Sequence, residues 1–526
     1  MSLMTSEEKL RRRLLGDPPK RDLLGWLGPL LAMVAGGIMR FWDLGRPHQL
    51  VFDETYYVKQ AWSMVRWGVE LRNGGPYGEK PDEAFTHGTL DVFNTTDGDL
   101  VVHGPVGKWI IAAGEAMFGG DSSIGWRFSV CVLGTISIFL LGRIARRLLG
   151  SSVLGTIAAV LLAFEGHHFV HSRTGLLDLI LMFFALSAFG ALLLDRDQSR
   201  AVLARRMAAA PPDRLADDRW LGPSMGWRPW RWVAALSLGL AAGTKWSGLY
   251  FLVVFGLMTV LWDLGARRAV GIRSYGLAAV VRDGIPAFLT VVPTVLVTYV
   301  ASWWGWFVSD HGYNKGWDAA HPASSTWAWV PGDLRSWWNY QAQILEFHRG
   351  LSTPHSYQSS PWSWLIMGRP TSMFAEYPKL GEDGCTVDMC AKVITPIGTP
   401  TIWWLGVAAV VVLVFQWGLR RDWRAGAILA GYAGGYLPWF LVGDRTIFQF
   451  YAVAFVPYVV LAVTYLLGMI AGRRDAPVRR RQIGAAIVGG FLVLTVLVFA
   501  WFWPLYTAQV IPYSQWWIHM WFPSWV

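Results

Sequence analysis

Apolar stretches that approach the length of a bilayer-crossing helix recur from residue 24 to residue 503, and nothing else in the chain constrains its fold as strongly. A hydrocarbon core about 30 Å thick asks for roughly 20 apolar residues of helix, with every backbone polar group satisfied inside the span. Such windows fall at 24–41, 126–142, 152–170, 175–194, 231–244, 248–263, 285–302, 401–417, 425–442, 447–470 and 483–503. Charged residues make up only 16% of the 526-residue chain, against about 25% in a soluble domain. The chain therefore reads as an all-α polytopic membrane protein with about eleven transmembrane helices. Residues 1–23 are polar, so the helix that follows reads as a retained span and not as the core of a cleaved signal peptide.

The formal charge is +10, yet the basic residues gather in the connections between spans. That is the positive-inside pattern, and it argues against a nucleic-acid partner. With the amino terminus in the cytoplasm, the clusters at 11–13, 143–147, 205–214, 267–273, 420–424 and 473–481 all fall inside. Spans two to seven then occupy 126–302 and spans eight to eleven 401–503, leaving 504–526 outside. Two large segments also lie outside: 42–125, expected to hold membrane-surface helices, and 303–400, rich in tryptophan. Neither shows a strong period of its own, and 195–230 reads as a polar cytoplasmic connection. The loop tryptophans, Trp303 to Trp364, read as interface anchors, with stacking on a sugar or an acceptor peptide as the sharper alternative. Cys131 reads as a small core residue. Cys385 and Cys390, in "CTVDMC", predict a local disulfide in an oxidising compartment, with a zinc pair as the weaker alternative.

Ionisable residues near the membrane mark a site or a pairing by default. In "VFDETYYV", residues 51–58, Asp53 and Glu54 lie just beyond the first span on the external side. They suit either the first turn of an amphipathic helix, where acids meet the helix dipole, or a general base with a neighbour that orients it. In "GDLVVHGPVGKWIIAAGEAMFGG", residues 98–120, His103 and Lys108 flank the start of an apolar helix and could form an anion or sugar site, a weak signal alone. In "FEGHHFVHSRTGLLDLILMFF", residues 164–184, His167 and His171 have metal-compatible spacing but read as an interfacial pair, so no metal is assigned. Arg173 there either grips a phosphate through two parallel hydrogen bonds or pairs with Asp178. Lys245 and Arg445 each place a cation at the external end of a span, with snorkelling as the plainer reading. Cations and carboxylates gathered on one side suit a lipid-phosphate sugar donor. The phosphate leaves as an anion that cations hold, and a carboxylate takes the proton of the attacking hydroxyl.

The stretches "FDETYYVKQA", "HGPVGKW", "HSRTGLLDLILMFF", "GTKWSGLYF" and "RTIFQFYAVAFVPY" resemble, in this order, the bacterial protein O-mannosyltransferases, relatives of the fungal and animal enzymes and of GT-C type. The likeness runs from the first span to "WFPSW". It implies transfer of mannose from polyprenyl-phosphate-mannose, with inversion, to Ser or Thr of chains arriving outside a bacterial plasma membrane. It also implies an acidic pair needed for catalysis, here Asp53 as base and Glu54 orienting the site or the sugar. Arg173 would lie near the donor phosphate, helped by Lys245 or Arg445. An acid is expected before a His-Pro-Pro motif, with Asp99 chosen over Asp91 and Asp97. That motif is altered here to His103-Gly104-Pro105. The fungal and animal members carry a sugar-binding-like domain after span seven, for which the ~100 residues here are too short. No cofactor is assigned, a divalent cation is left open, and membrane lipids and a secretion translocon are the expected partners besides donor and acceptor. The rival readings are a GT-C transferase acting on a lipid or cell-wall glycan, as aminoarabinose and arabinose transferases do, and a secondary transporter. A transporter would place its acids within the membrane in matched halves.

Overall fold

The computed structural model describes residues 4–16, 22–74, 80–211, 213–214, 217–473 and 475–526. Among them, eight helices are long and apolar enough to cross a membrane: Leu24–Phe41, Ser123–Leu149, Leu177–Ala208, Gly248–Ala269, Tyr275–Ser302, Pro400–Arg420, Gln449–Ala471 and Val478–Tyr506. Three shorter helices, Ser152–Ala163, Pro229–Thr244 and Trp423–Gly435, fall in the remaining expected windows. Helix Leu177–Ala208 is buried on most sides and Gln449–Ala471 nearly as much, whereas Tyr275–Ser302 shows almost its whole surface to the surroundings. Apolar residues all round a buried helix, as in "LILMFFALSAFGALLL", fit a place at the centre of a bundle.

Several helix ends differ from the sequence expectation, each for a local reason. The window 152–170 breaks at Ala163, because Glu165 caps a new short helix, Gly166–His171, by accepting hydrogen bonds from His167 N and His168 N. The window 425–442 is helical only to Gly435 and continues as a 3-10 turn, Leu437–Leu441, opened by Pro438. The window 447–470 begins as a 3-10 turn, Gln449–Phe455. Its α-helix starts at Val456, with Pro457 in the first turn, where its missing N–H costs nothing. Residues 195–208, expected as loop, extend helix Leu177–Ala208. There Asp195 and Asp263 hold the buried Arg228 guanidinium, so polar residues are paired inside the helical layer.

The two long segments expected outside, 42–125 and 303–400, are more ordered than their sequence suggested. Residues 42–125 carry helices Glu54–Trp67, Pro81–Thr86 and Val106–Phe118, and strand Leu71–Asn73 pairs antiparallel with Phe93–Gly98. The second segment carries helix Gly332–Gly350, whose "LRSWWNYQAQILEFH" repeats apolar residues three and four apart, a period masked by the surrounding tryptophans. Strand Cys390–Ile394 pairs with both Phe374–Glu376 and Val510–Pro512, tying the second of these segments to the carboxyl-terminal segment. Cys385 and Cys390 are joined in a disulfide, and Cys131 is a buried free thiol.

Candidate active site

Asp53 is the N-cap residue of helix Glu54–Trp67, but its side chain does not cap it. It follows Phe52, a left-handed residue (φ 52°) whose ring packs edge-on against Phe450 at 5.1 Å. This turn leaves Asp53 half-buried, with the Tyr57 hydroxyl donating to Oδ2 at 3.4 Å. Burial pushes its carboxyl up to about 6. The Lys245 charge opposes that rise, the Asp178 charge adds to it and the Tyr57 hydroxyl opposes it.

Beside it, Lys245 closes a bidentate pair with Asp178, Nζ to both carboxylate oxygens at 3.0 Å. Asp178 stands at the start of helix Leu177–Ala208, and Lys245 just past the end of helix Pro229–Thr244. The pair lines a cavity of about 420 Å³ together with His103, His348, Arg349 and Arg445. The apolar wall of the cavity comes from Leu181, Tyr250, Phe251, Trp439 and Tyr451. His103 is half-buried and stacks on His348 at 5.3 Å, and desolvation holds its imidazole well below the ordinary range. His348 is likewise held down, to about 4, by burial and by the Arg445 charge. The side chain of Arg349 makes no hydrogen bond or ion pair among the described residues, and the residue stands exposed at the cavity wall.

Other residues singled out from sequence lie elsewhere. Glu54 does not reach the cavity: it is fully buried and saturated. It accepts from Arg127 Nε (2.9 Å) and Nη2 (2.8 Å), from Val51 N (2.8 Å) and from Gly175 N (2.7 Å). Arg173 is not on the cavity wall, nor does it pair with Asp178. Its guanidinium donates to the carbonyls of Arg40 (2.5 Å), Trp42 (2.6 Å) and Asp43 (2.9 Å), at the carboxyl end of the first span. Unpaired carbonyls and the negative end of the helix dipole make that a natural seat for a cation. Arg173→Ala is therefore expected to cost stability on the order of 2–4 kcal/mol. A melting curve should fall while the donor KM of the remaining folded enzyme stays put; a raised KM at unchanged melting temperature would return Arg173 to the phosphate.

Lys108 is buried in an ion pair with Glu70 at 2.5 Å, and its Nζ also donates to His103 O, so it braces the turn that presents His103. Asp99 accepts from Gln60 Nε2 at 3.2 Å, with burial raising its pKa; it too lies off the cavity wall. Asp91 and Asp97 are exposed. The altered motif has a steric cause: a Cβ on Gly104, a proline's included, would stand 2.1 Å from the carbonyl oxygen of Gly243. The tryptophans on the cavity wall are Trp246 and Trp439, outside the set expected from the loop. Of that set Trp303, Trp306, Trp337 and Trp364 are core residues. The rings of His167 and His171 lie tilted against each other in the interior at 4.6 Å, and among the described residues no group of three or more His, Cys, Asp or Glu could hold a metal ion.

With this geometry in place, similarity to known proteins supplies the family. Residues 92–208 match the family model described as dolichyl-phosphate-mannose-protein mannosyltransferase, and 333–525 match the C-terminal four-span region of protein-O-mannosyltransferase. The structure superposes on a Saccharomyces cerevisiae Pmt1–Pmt2 protein O-mannosyltransferase complex bound to its sugar donor. The TM-score is 0.69 at 14% identity, over 98% of this chain and 94% of that one. The chain thus has the fold of an integral-membrane glycosyltransferase. It is also 36% identical, over 95% of its length and 93% of theirs, to a polyprenol-phosphate-mannose–protein mannosyltransferase of Mycolicibacterium smegmatis. A Mycobacterium tuberculosis protein of the same name matches at 36% over 96% of the chain, and one from Corynebacterium glutamicum at 35% over 90%. The chain belongs to the polyprenol-phosphate-mannose–protein mannosyltransferase family.

Proposed function

We propose that this chain transfers mannose from polyprenyl-phosphate-mannose to Ser or Thr hydroxyls of proteins by a single inverting displacement, with Asp53 as the base. The acceptor oxygen attacks the anomeric carbon and its proton passes to Asp53. The bond from that carbon to the phosphate oxygen breaks, and polyprenyl phosphate leaves with the electron pair. Lys245 and Arg445, with Arg349 at the cavity wall, meet the charge that develops on the phosphate, in place of a general acid or a divalent ion. The apolar wall takes the first part of the lipid.

The observation that carries this reading is the division of labour around Lys245–Asp178. The cations face the cavity, and the raised carboxyl of Asp53 lies beside the same pair but off the cavity wall. In-line displacement needs base and leaving group on opposite sides of the reacting carbon, and an acceptor entering beside Asp53 would attack a sugar whose phosphate lies against the cavity cations.

The eleven-span topology, with the amino terminus in the cytoplasm and the site outside a bacterial plasma membrane, is part of the proposal. The basic clusters support it, as do the three shorter helices that bring eight spans to eleven. A hydroxyl must reach Asp53 on a chain not yet folded, so a secretion translocon is the proposed neighbour.

Membranes bearing the protein should move mannose from polyprenyl-phosphate-mannose to a Ser/Thr-rich peptide. Arg445→Ala should raise the donor KM about tenfold or more, the worth of one charge-assisted hydrogen bond. Transfer to a lipid acceptor and to no peptide would leave the fold and overturn the acceptor.

A further inference from the structure

Arg445 carries a burden for which it has little support. Its side chain is half-buried on the cavity wall, its Nε has no partner, and among the described residues its one side-chain hydrogen bond runs from Nη2 to His348 Nδ1, at 3.2 Å. A guanidinium can only donate, so Nδ1 of His348 must be the bare, accepting nitrogen. The proton then sits on Nε2, which donates to the carbonyl of Val102 at 2.8 Å. Val102 immediately precedes His103, whose ring stacks on the same imidazole. His348 comes from helix Gly332–Gly350 and Arg445 from the turn after Leu437–Leu441. One neutral ring thus joins three separate stretches of chain at the cavity.

We propose that His348 is a positioning residue: it holds Arg445 aimed at the donor phosphate through Nδ1 and stays uncharged, so that it adds no competing cation. The proposal rests on the reading above that Arg445 meets that phosphate. A long arginine side chain left without this acceptor samples many rotamers, and fixing it beforehand removes that cost from donor binding. His348 also touches the Val102 carbonyl, so a purely architectural role is the alternative. The two nitrogens let the roles be separated.

Asparagine places its oxygen near the position of Nδ1 and can still accept from Arg445, but it does not reach Val102. Glutamine places its amide N–H near Nε2 and can still hold Val102, but it offers Arg445 nothing. The test is steady-state transfer to a Ser/Thr-rich peptide with polyprenyl-phosphate-mannose varied, on full-length protein in membranes. His348→Gln is expected to raise the donor KM about tenfold at nearly unchanged kcat, and His348→Asn to stay within about threefold of wild type. In an Arg445→Ala background, His348→Gln should add nothing further, because the interaction it disturbs is already gone.

The reverse ranking of the two variants, or KM effects that multiply in the double variant, would overturn the proposal and leave His348 as architecture. An Arg445→Ala protein with normal donor KM would instead overturn the phosphate reading itself, and this proposal with it. A His348→Gln protein with normal KM beside a weakened Arg445→Ala protein would sink only the role of His348.

Discussion

Asp53→Asn is expected to abolish mannose transfer while leaving the protein folded, and more heat-resistant than wild type. A positioned general base contributes on the order of 10²–10⁴ in rate, and an amide cannot take the acceptor proton, so kcat should fall by at least about a hundredfold. The stability gain follows from the sign of the pKa shift. Burial raises the carboxyl from 3.8 to about 6, so the folded state holds the proton more tightly than the unfolded chain. Stability is therefore lost as pH rises from about 4 to about 6, and at pH 7 the full cost of the ionised, half-buried carboxylate is present, on the order of 2–3 kcal/mol. Asparagine removes that cost. The same shift sets the pH profile of the wild type: kcat/KM should fall about tenfold per pH unit below about 6, as the base becomes protonated. Activity within about tenfold of wild type for Asp53→Asn would move the base elsewhere, and Asp178, on the cavity wall, would be next in line. A loss of activity accompanied by a lower melting temperature would make Asp53 a structural residue.

Much of the fold was legible in the sequence because the bilayer imposes a length and a composition that can be read residue by residue. Every apolar window falls on helix for most of its length, and the errors gather at ends decided by single side chains, such as Glu165 and Pro438. The site was legible only in part. Lys245, Arg445, His103 and Asp53 were visible as polar residues at the margins of apolar helices, where their cost signals a purpose. Their pairing was not visible. Sequence offers Asp178 only Arg173, five residues away, as one of two alternatives for that arginine, but its partner is Lys245, 67 residues on, because helix Pro229–Thr244 packs along Leu177–Ala208. His348 is hidden in a tryptophan-rich segment that shows no strong period as a whole. The helical period of 334–348 was the available signal, and it would have put His348 on an ordered element facing inward. Arg127 carried a signal too, an arginine near the start of an apolar span with no stated partner.

Arg127 leads to the second large effect, which concerns Glu54. Two adjacent acids looked like one catalytic pair, but neighbours at a helix start point about 100° apart, and the structure gives them opposite surroundings. Asp53 keeps a water-accessible edge, whereas Glu54 is enclosed with its charge met by Arg127 and its oxygens filled by two backbone N–H groups besides. Arg127 in turn donates to the carbonyls of Leu44, Pro47 and Gln49, so this one contact folds the 44–54 segment onto the second span. Removing one partner leaves the other charge buried and uncompensated, which costs about 3–5 kcal/mol. Glu54→Gln and Arg127→Met should each lower the melting temperature sharply and the yield of folded protein with it. The pair changed together should recover part of the loss, since a neutral pair of similar shape carries no stranded charge. The folded remainder of Glu54→Gln should keep the acid limb of the wild-type pH profile, because that limb belongs to Asp53. If Glu54→Gln instead melts as wild type does but shifts or erases the limb, the two acids titrate as one catalytic unit and the division between them is wrong. The recovery in the double variant is the sharper arm, since only direct charge pairing between residues 54 and 127 predicts it.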